Sequence, residues 1–579
     1  MHPRWNQIPP SPPVSTSGDV ERSCSAKMQL FKVSIIFVLS AGTSVAIGKE
    51  VPSQWLETPT HWRNLAKEAI LSKERQGPLE AVAKNGIFFI GDGMGLTSVS
   101  AARVFKGQRD DGARFGEESS LHMETFPYSG LSKTYCLDTQ VADSSCSATA
   151  YLCGIKARFA TAGLTPGVLF ADCRGQNNTD LHVSSIVEWA QREGKSTGVV
   201  TSGRVTAIPG AANWAGIARR SWETDADVAE WGMNPEVCPD TGIQLLRKEA
   251  GQRLNVLLGG GRHRLTPVEK IDQETNSPGK RTDGRNIAEE WLVMKEGQTG
   301  TARYITGRDE LMGLNVLEVD HLLGSFAMSE LPWSDELERN NDPTMTEMVA
   351  VAIKILNKNP NGFFLFVHGS KIDSAHHSNR PGRALREIVE FDKAVKTGDE
   401  MTDDQDTLIV VSADHSHTMG YSGYNVRGNP ILRHSIIPAD DGFVFSTLNY
   451  ANGPGPAWTN PDTGLRHNVL LDNTTNPNYE LPVPVPLFSE AHSSEDVPIF
   501  AKGPYAHYFA GVQEQSSIPH LIAYALCVGD GLKNRHCIPS DETTTENLDP
   551  TTTPSSAPAH GLVYYLVLLT IFTIFHGRG

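Results

Sequence analysis

The chain has 579 residues, 39% of them hydrophobic and 8% aromatic, enough apolar material for a large core and too much for a disordered chain or a coiled coil. Lys and Arg total 51 against 67 Asp and Glu, a formal net charge of −16, so the basic footprint of a nucleic-acid binder is missing. Any site for an anion in so acidic a protein needs local positive charge, from metal ions or arginine.

Taken in chain order, Lys27 and Lys32 flank the apolar run Val33–Ser40, and small residues follow to Ala46. That is the pattern of a secretory signal peptide, so residues 1–46 are expected to be an N-terminal extension and signal. The Pro- and Ser-rich first 27 residues do not suit such a signal, and Met28 fits better as the initiator. Secretion makes the cysteines informative, because disulfides persist outside the cell. Without Cys24, seven remain: Cys136, Cys146, Cys153, Cys173, Cys238, Cys527 and Cys537. An odd number leaves at least one thiol free or paired between chains. The sequons at Asn177 and Asn473 fit the same compartment as glycosylation sites.

Three short apolar runs end in acidic and histidine clusters. Gly86–Ile90 leads into Asp92, Gly362–Val367 into His368, Asp373, His376 and His377, and Thr407–Val411 into Asp414, His415 and His417. Uniformly apolar, β-rich runs are the signature of strands buried on both faces of a parallel sheet. Helical stretches at Ser184–Glu193 and Met345–Leu356 supply crossovers. In such a sheet the C-terminal strand ends share one edge, where ligands bind, so the three clusters should converge. Carboxylates mixed with imidazoles, with no clustered thiolates, suit zinc with an open position. Asp373 and His377 stand i, i+4 and share a face if a helical turn begins there. A lone Asp or His here would be read as a cap or a satisfied polar group. Three clusters at three strand ends favour metal. Between the first two, Asp143-Ser144 opens an Ala-rich segment to Gly154. Ser144 is either an ordinary helix start or, at a helix N-terminus that favours anions, a nucleophile.

These motifs resemble the alkaline phosphatase family, specifically its animal membrane-bound branch, from about Trp55 to Cys537. Asp143-Ser144 with Ala148–Gly154, Val256–Arg262, Gly362–Val367, Ala413–His417, and His492 with Glu495-Asp496 match in order and spacing. The resemblance implies a three-layer α/β sandwich with a large, mostly parallel sheet and helices on both faces. It also implies a small crown-like insertion at 421–488, placing the catalytic domain at 47–420 and 489–540. The family uses two zinc ions. Asp373, His377 and His492 match the ligands of one; Asp92, Asp414 and His415 match those of the other, which also binds the nucleophile Ser144. His417 matches a histidine close to the first ion, and Arg220 the arginine that clamps phosphate. The implied reaction is phosphate monoester hydrolysis through a phosphoserine, with an alkaline optimum, in a homodimer. Cys173–Cys238 and Cys527–Cys537 match the family's disulfides, leaving Cys153 free, and Cys136 and Cys146 are placed for a third bridge across the loop into Ser144.

The family's third site, usually magnesium, fits poorly. It shares Asp92 and adds a Ser or Thr and a Glu, which fall here at Pro209 and His368. Proline has no side-chain oxygen and imidazole is a poor magnesium ligand. Thr206 could substitute if the alignment slips, His368 could favour zinc, and Arg219 or Lys371 could supply charge without a metal. The expectation is therefore two zinc ions per subunit and doubtful magnesium. The alternative is a low-activity surface glycoprotein of the same fold acting as a binding partner. A sulfatase is excluded, because Cys537–Asp541 lacks the Arg of the modification motif. At the C-terminus, a polar spacer (Thr543–Ala559) precedes a 14-residue apolar run, Leu562–Phe575, against the roughly 20 residues of a spanning helix. Residues 541–579 are thus expected to be a spacer and GPI-attachment signal, placing the protein on the outer face of the cell membrane. A short tail anchor is the alternative.

Overall fold

The computed structural model describes residues 59–75, 77–298, 300–337, 341–529 and 535–537. The expected signal peptide and attachment signal lie outside them. The chain divides into residues 1–71 and 72–579, the first represented by helix α1 (Pro59–Arg75), which runs across the boundary.

The larger unit is built on ten strands: β1 (Asn85–Gly91), β2 (Tyr128–Lys133), β3 (Ser196–Arg204), β4 (Val256–Gly260), β5 (Ala302–Ile305), β6 (His321–Ser325), β7 (Phe363–Gly369), β8 (Thr407–Ala413), β9 (Val497–Lys502) and β10 (Gly511–Glu514). They lie in the order β10-β2-β9-β8-β1-β7-β3-β4-β6-β5. All pairs are parallel except those of β9, which runs antiparallel to both β8 and β2.

The alternation of side chains along a strand explains why the central strands are apolar throughout. In β1, Phe88 and Ile90 point into one core with Phe364, Phe366, Leu408 and Val410. Ile87 and Phe89 point into the other with Leu365, Val367, Ile409 and Val411. Every residue of β1, β7 and β8 is buried. The first core is roofed by α3 (Ser144–Cys153), α4 (Ile186–Arg192) and α8 (Ile518–Leu526); the second by α2 (Leu96–Arg109), α5 (Met345–Leu356) and α7 (Pro381–Glu400). Burial of one Phe contributes about 1.5–3 kcal/mol, so these layers fix the positions of the strand ends. The three-layer sandwich follows as expected. Helix α4 begins two residues later than the sequence suggested, because Ser185 caps it, its hydroxyl accepting from the Glu188 amide at 3.4 Å.

The segment expected as the crown-like insertion, 421–488, is rich in loops. Its regular structure is a 3-10 turn, Val469–Leu471, and two short ladders, Asn452–Gly453 with Val485–Pro486 and Leu448–Tyr450 with Met419–Tyr421, the last strand starting just before the segment. Disulfides join Cys136–Cys146, Cys173–Cys238 and Cys527–Cys537, and Cys153 is a free, buried thiol. Asn177 and Asn473 are both exposed.

Candidate active site

Strands β8, β1 and β7 are neighbours, so their C-terminal ends bring the three clusters side by side. Asp92 follows β1, Asp414 and His415 follow β8, and α6 (Lys371–His377) follows β7. The expected helical turn is present there, and it sets His377 Nε2 3.3 Å from Asp373 Oδ2. His492 is delivered by a short antiparallel ladder that pairs it with His417. Ser144 is the first residue of α3. Asp143 caps that helix, its Oδ1 accepting from the amides of Cys146 at 3.2 Å and Ala160 at 3.0 Å. Its other oxygen lies 3.5 Å from Arg220 Nη1. The Cys136–Cys146 bridge ties the incoming loop to the first turn of the same helix.

The donor atoms fall into two sets. His377 Nε2, His492 Nε2 and the Asp373 oxygens approach pairwise at 3.2–3.4 Å. Ser144 Oγ, His415 Nε2, Asp92 Oδ1 and Asp414 Oδ2 approach at 3.1–3.5 Å wherever they face one another. A tetrahedral ion with ligand bonds of about 2.0–2.1 Å keeps its ligand atoms about 3.3–3.4 Å apart. Asp414 Oδ2 is buried without a hydrogen-bond partner, although an imidazole nitrogen lies 3.1 Å away. Unpaired donors at such spacing fit an ion.

The electrostatics agree. Burial, and then the carboxylates of Asp414 and Asp373, push Asp92 well above the ordinary carboxylate range. Burial also works against ionisation of Asp373 and Asp414, but their histidine neighbours hold both low, so Asp92 is the carboxyl that a cation would ionise. Burial lowers the pKa of His377 and of His492, which keeps both imidazoles neutral and able to offer a lone pair. His417 differs. Burial opposes its charge, but Glu490 and Asp373 raise it to about 10. Its Nε2 lies 2.8 Å from Asp373 Oδ1 and its Nδ1 pairs with Glu490. Gly93 allows this packing. It adopts φ 71°, and a Cβ there would come within 2.4 Å of the His417 ring.

His368, at the end of β7, is buried against Asp92. Its Nε2 lies 2.9 Å from Asp92 Oδ2 and its Nδ1 2.9 Å from Thr201 Oγ1. Burial lowers its pKa to about 4. Pro209 caps a 3-10 turn, and the Thr206 hydroxyl donates to Glu223 at 2.7 Å instead of facing Asp92. Lys371 lies 3.4 Å from Glu330 and stacks 3.8 Å from the Trp333 ring, and Arg219 stacks 3.3 Å from the Trp231 ring. The donors for a third, magnesium-type ion do not fit.

The sequence reading missed two residues that hold the site. Glu490 accepts from the Thr418 amide at 2.7 Å, and its carbonyl lies 2.6 Å from His377 Nδ1, so it fixes two histidines. Only its place two residues before His492 signals it. Thr201 sits mid-strand in β3, opposite His368 in the ladder, with nothing in its neighbours to mark it. His376 is structural: its nitrogens lie 3.1 Å from Ser98 Oγ and 2.7 Å from the Tyr450 hydroxyl.

A serine at a helix N-terminus, beside carboxylate–imidazole clusters that could hold metal ions and near an arginine, is the arrangement of a hydrolase of the α/β class. The alkaline phosphatase profile matches residues 83–528. The chain is 41% identical over 475 residues to a membrane-bound alkaline phosphatase of Bombyx mori, covering 81% of this chain and 86% of that protein. It is 40% identical over 516 residues to the human tissue-nonspecific isozyme, covering 88% and 95%. The fold matches alkaline phosphatases of the Antarctic bacterium TAB5 (TM-score 0.52, 21% identity, 78% of this chain and 99% of that one) and of Thermus thermophilus (TM-score 0.55, 20% identity, 78% and 93%). The chain belongs to the alkaline phosphatase family, and it is a phosphatase.

Proposed function

We propose that the protein hydrolyses phosphate monoesters through a phosphoserine on Ser144. The observation that carries this is the pair of donor sets at tetrahedral-edge spacing, one of which includes Ser144 Oγ. Asp373, His377 and His492 would hold one zinc, and Asp92, Asp414, His415 and Ser144 the other. Zinc there would supply Lewis acidity, favouring the ionised serine and stabilising charge on the attacking and leaving oxygens.

The chain's own groups do the rest. Ser144 Oγ attacks phosphorus as the alcohol leaves on the opposite side. The N-terminus of α3 faces the phosphoryl group with its positive dipole end. Arg220, with a half-exposed side chain, meets two phosphoryl oxygens with its fork, and Asp143 orients it. His417, paired with Glu490, holds Asp373 in place. Water then cleaves the Ser144–phosphate bond, freeing phosphate and restoring the serine. Turnover of a simple aryl phosphate with two zinc ions per subunit, and phosphate labelling at Ser144, are the expected results. Zinc-loaded protein without turnover would reject this reading in favour of a binding role.

The same reading makes the protein a glycosylated homodimer, secreted and held on the outer membrane face by a GPI anchor. Among the described residues no helix is long and apolar enough to cross a membrane. Release from cells by a phosphatidylinositol-specific phospholipase is expected; a mature protein that keeps Leu562–Phe575 would exclude the anchor.

A further inference from the structure

The corner around His368 is closed by hydrogen bonds. The ring is 2% exposed and lies parallel to Phe366, at 8° and 6.3 Å between centroids. Thr201 Oγ1 accepts the Gly203 amide at 2.9 Å and lies 2.9 Å from His368 Nδ1. An ionised Asp92 can only accept, so in the ion-holding state Nε2 carries the hydrogen that meets Asp92 Oδ2 at 2.9 Å. No lone pair of His368 then faces Asp92, so a cation there would have to break that buried hydrogen bond. Among the described residues His368 joins no group of three metal-donor side chains.

We propose that His368 replaces the family's third cation with a fixed N–H donor, which pins Asp92 Oδ2 and keeps Asp92 Oδ1 turned toward Ser144 and His415. This rests on the two-zinc phosphatase reading above. Asp92 Oδ1 lies 3.5 Å from both Ser144 Oγ and His415 Nε2, which is the geometry the pinning preserves. His368 is a positioning residue, since it acts on the nucleophile only through Asp92. Thr201 is its partner, because its hydroxyl holds the other ring nitrogen in place.

The test is metal analysis of the full protein, purified with zinc and millimolar magnesium, together with steady-state kinetics. The native protein should hold zinc but almost no magnesium, and added magnesium should change kcat less than about twofold. Thr201→Val should lower kcat about 10-fold or more while zinc content stays at the native level, as for loss of a partner behind a metal ligand. His368→Gln, which can still donate an N–H to Asp92, should keep more kcat than His368→Ala. His368→Glu with Pro209→Ser should become magnesium-dependent. Tight magnesium in the native protein with saturable activation would overturn the proposal, as would native kcat in both Thr201→Val and His368→Ala. Native protein with full zinc and no turnover would sink the phosphatase reading, and this proposal with it.

Discussion

Two corners of one cleft handle buried polarity in opposite ways. At Asp373, Asp92 and Asp414, carboxylates and imidazoles crowd together at 3.1–3.5 Å, and Asp414 Oδ2 has no hydrogen-bond partner. A few ångströms of structure away, His368 has a partner on each ring nitrogen. Buried polar groups are costly unless satisfied, so the orphaned Asp414 Oδ2 marks the first corner as one suited to a cation, whereas the second is complete as it stands. An ion site is therefore recognised less by residue type than by the shortage of protons and partners around its donors. Asp and His occur in both corners, and only the arrangement tells them apart.

The largest way to break this contrast is at the nucleophile. Ser144→Ala should reduce turnover at least about 1,000-fold and abolish phosphate labelling, while zinc content stays near native because six side-chain ligands remain. Labelling of the alanine variant at the same site would show that another residue is the nucleophile. Next in size, Asp373→Asn should cost zinc as well as activity, at least ~100-fold in turnover, since a neutral amide is a poor partner for an ion held between imidazoles. Metal analysis separates the two: Ser144→Ala should keep its zinc and Asp373→Asn should lose about half of it. A native zinc content in Asp373→Asn would move that residue out of the metal centre.

Arg220→Ala removes a charge-assisted fork of roughly 1.5–3 kcal/mol, which predicts a loss of about 10–100-fold in kcat/KM and weaker inhibition by inorganic phosphate. Unchanged phosphate inhibition would show that the half-exposed guanidinium does not reach the substrate. The smallest effect applies the same rule to a buried cation. Lys295 is fully buried and donates to the carbonyls of Gln252 and Leu254, and burial lowers its pKa to about 7. Below that pH the folded state carries the whole cost of the buried charge. Between about 7 and the ordinary lysine value of about 10.4 only the unfolded state holds the proton, so stability rises with pH. Lys295→Met should therefore gain most below pH 7, with the gap to the native protein closing by at most about 1.4 kcal/mol per pH unit above it. Parallel pH dependence of the two melting curves would refute this.

The sheet and most of the site were legible in the sequence because both leave local marks. Runs such as Phe363–Val367 are apolar at every position, which only burial on both faces requires, and each ends in a donor cluster. Asp143-Ser144 announced its helix through capping chemistry. What could not be read were the residues whose role exists only across the fold. Thr201 meets His368 across 167 positions of sequence, and Glu490 meets His417 across 73. A β-strand threonine and a loop glutamate carry no local sign of such partners. The sequence did mark His368 as the wrong chemistry for magnesium. It could not say whether zinc, a lysine or a hydrogen-bond line had filled the gap.

The lone antiparallel strand, β9, has a consequence for how the protein is made. It lies between β8 and β2, so β2 and the loop leading to Ser144 have no seat in the sheet until residues 497–502 exist. Among the described residues the other neighbour of β2 is β10, which is later still. His492 also arrives on this last stretch. During synthesis, then, the nucleophile segment emerges early and waits for some 350 further residues before it can dock. The ribosome must finish nearly the whole domain before either donor set can close, so a chain stopped short of Val497 should carry no working centre, and metal loading belongs after synthesis.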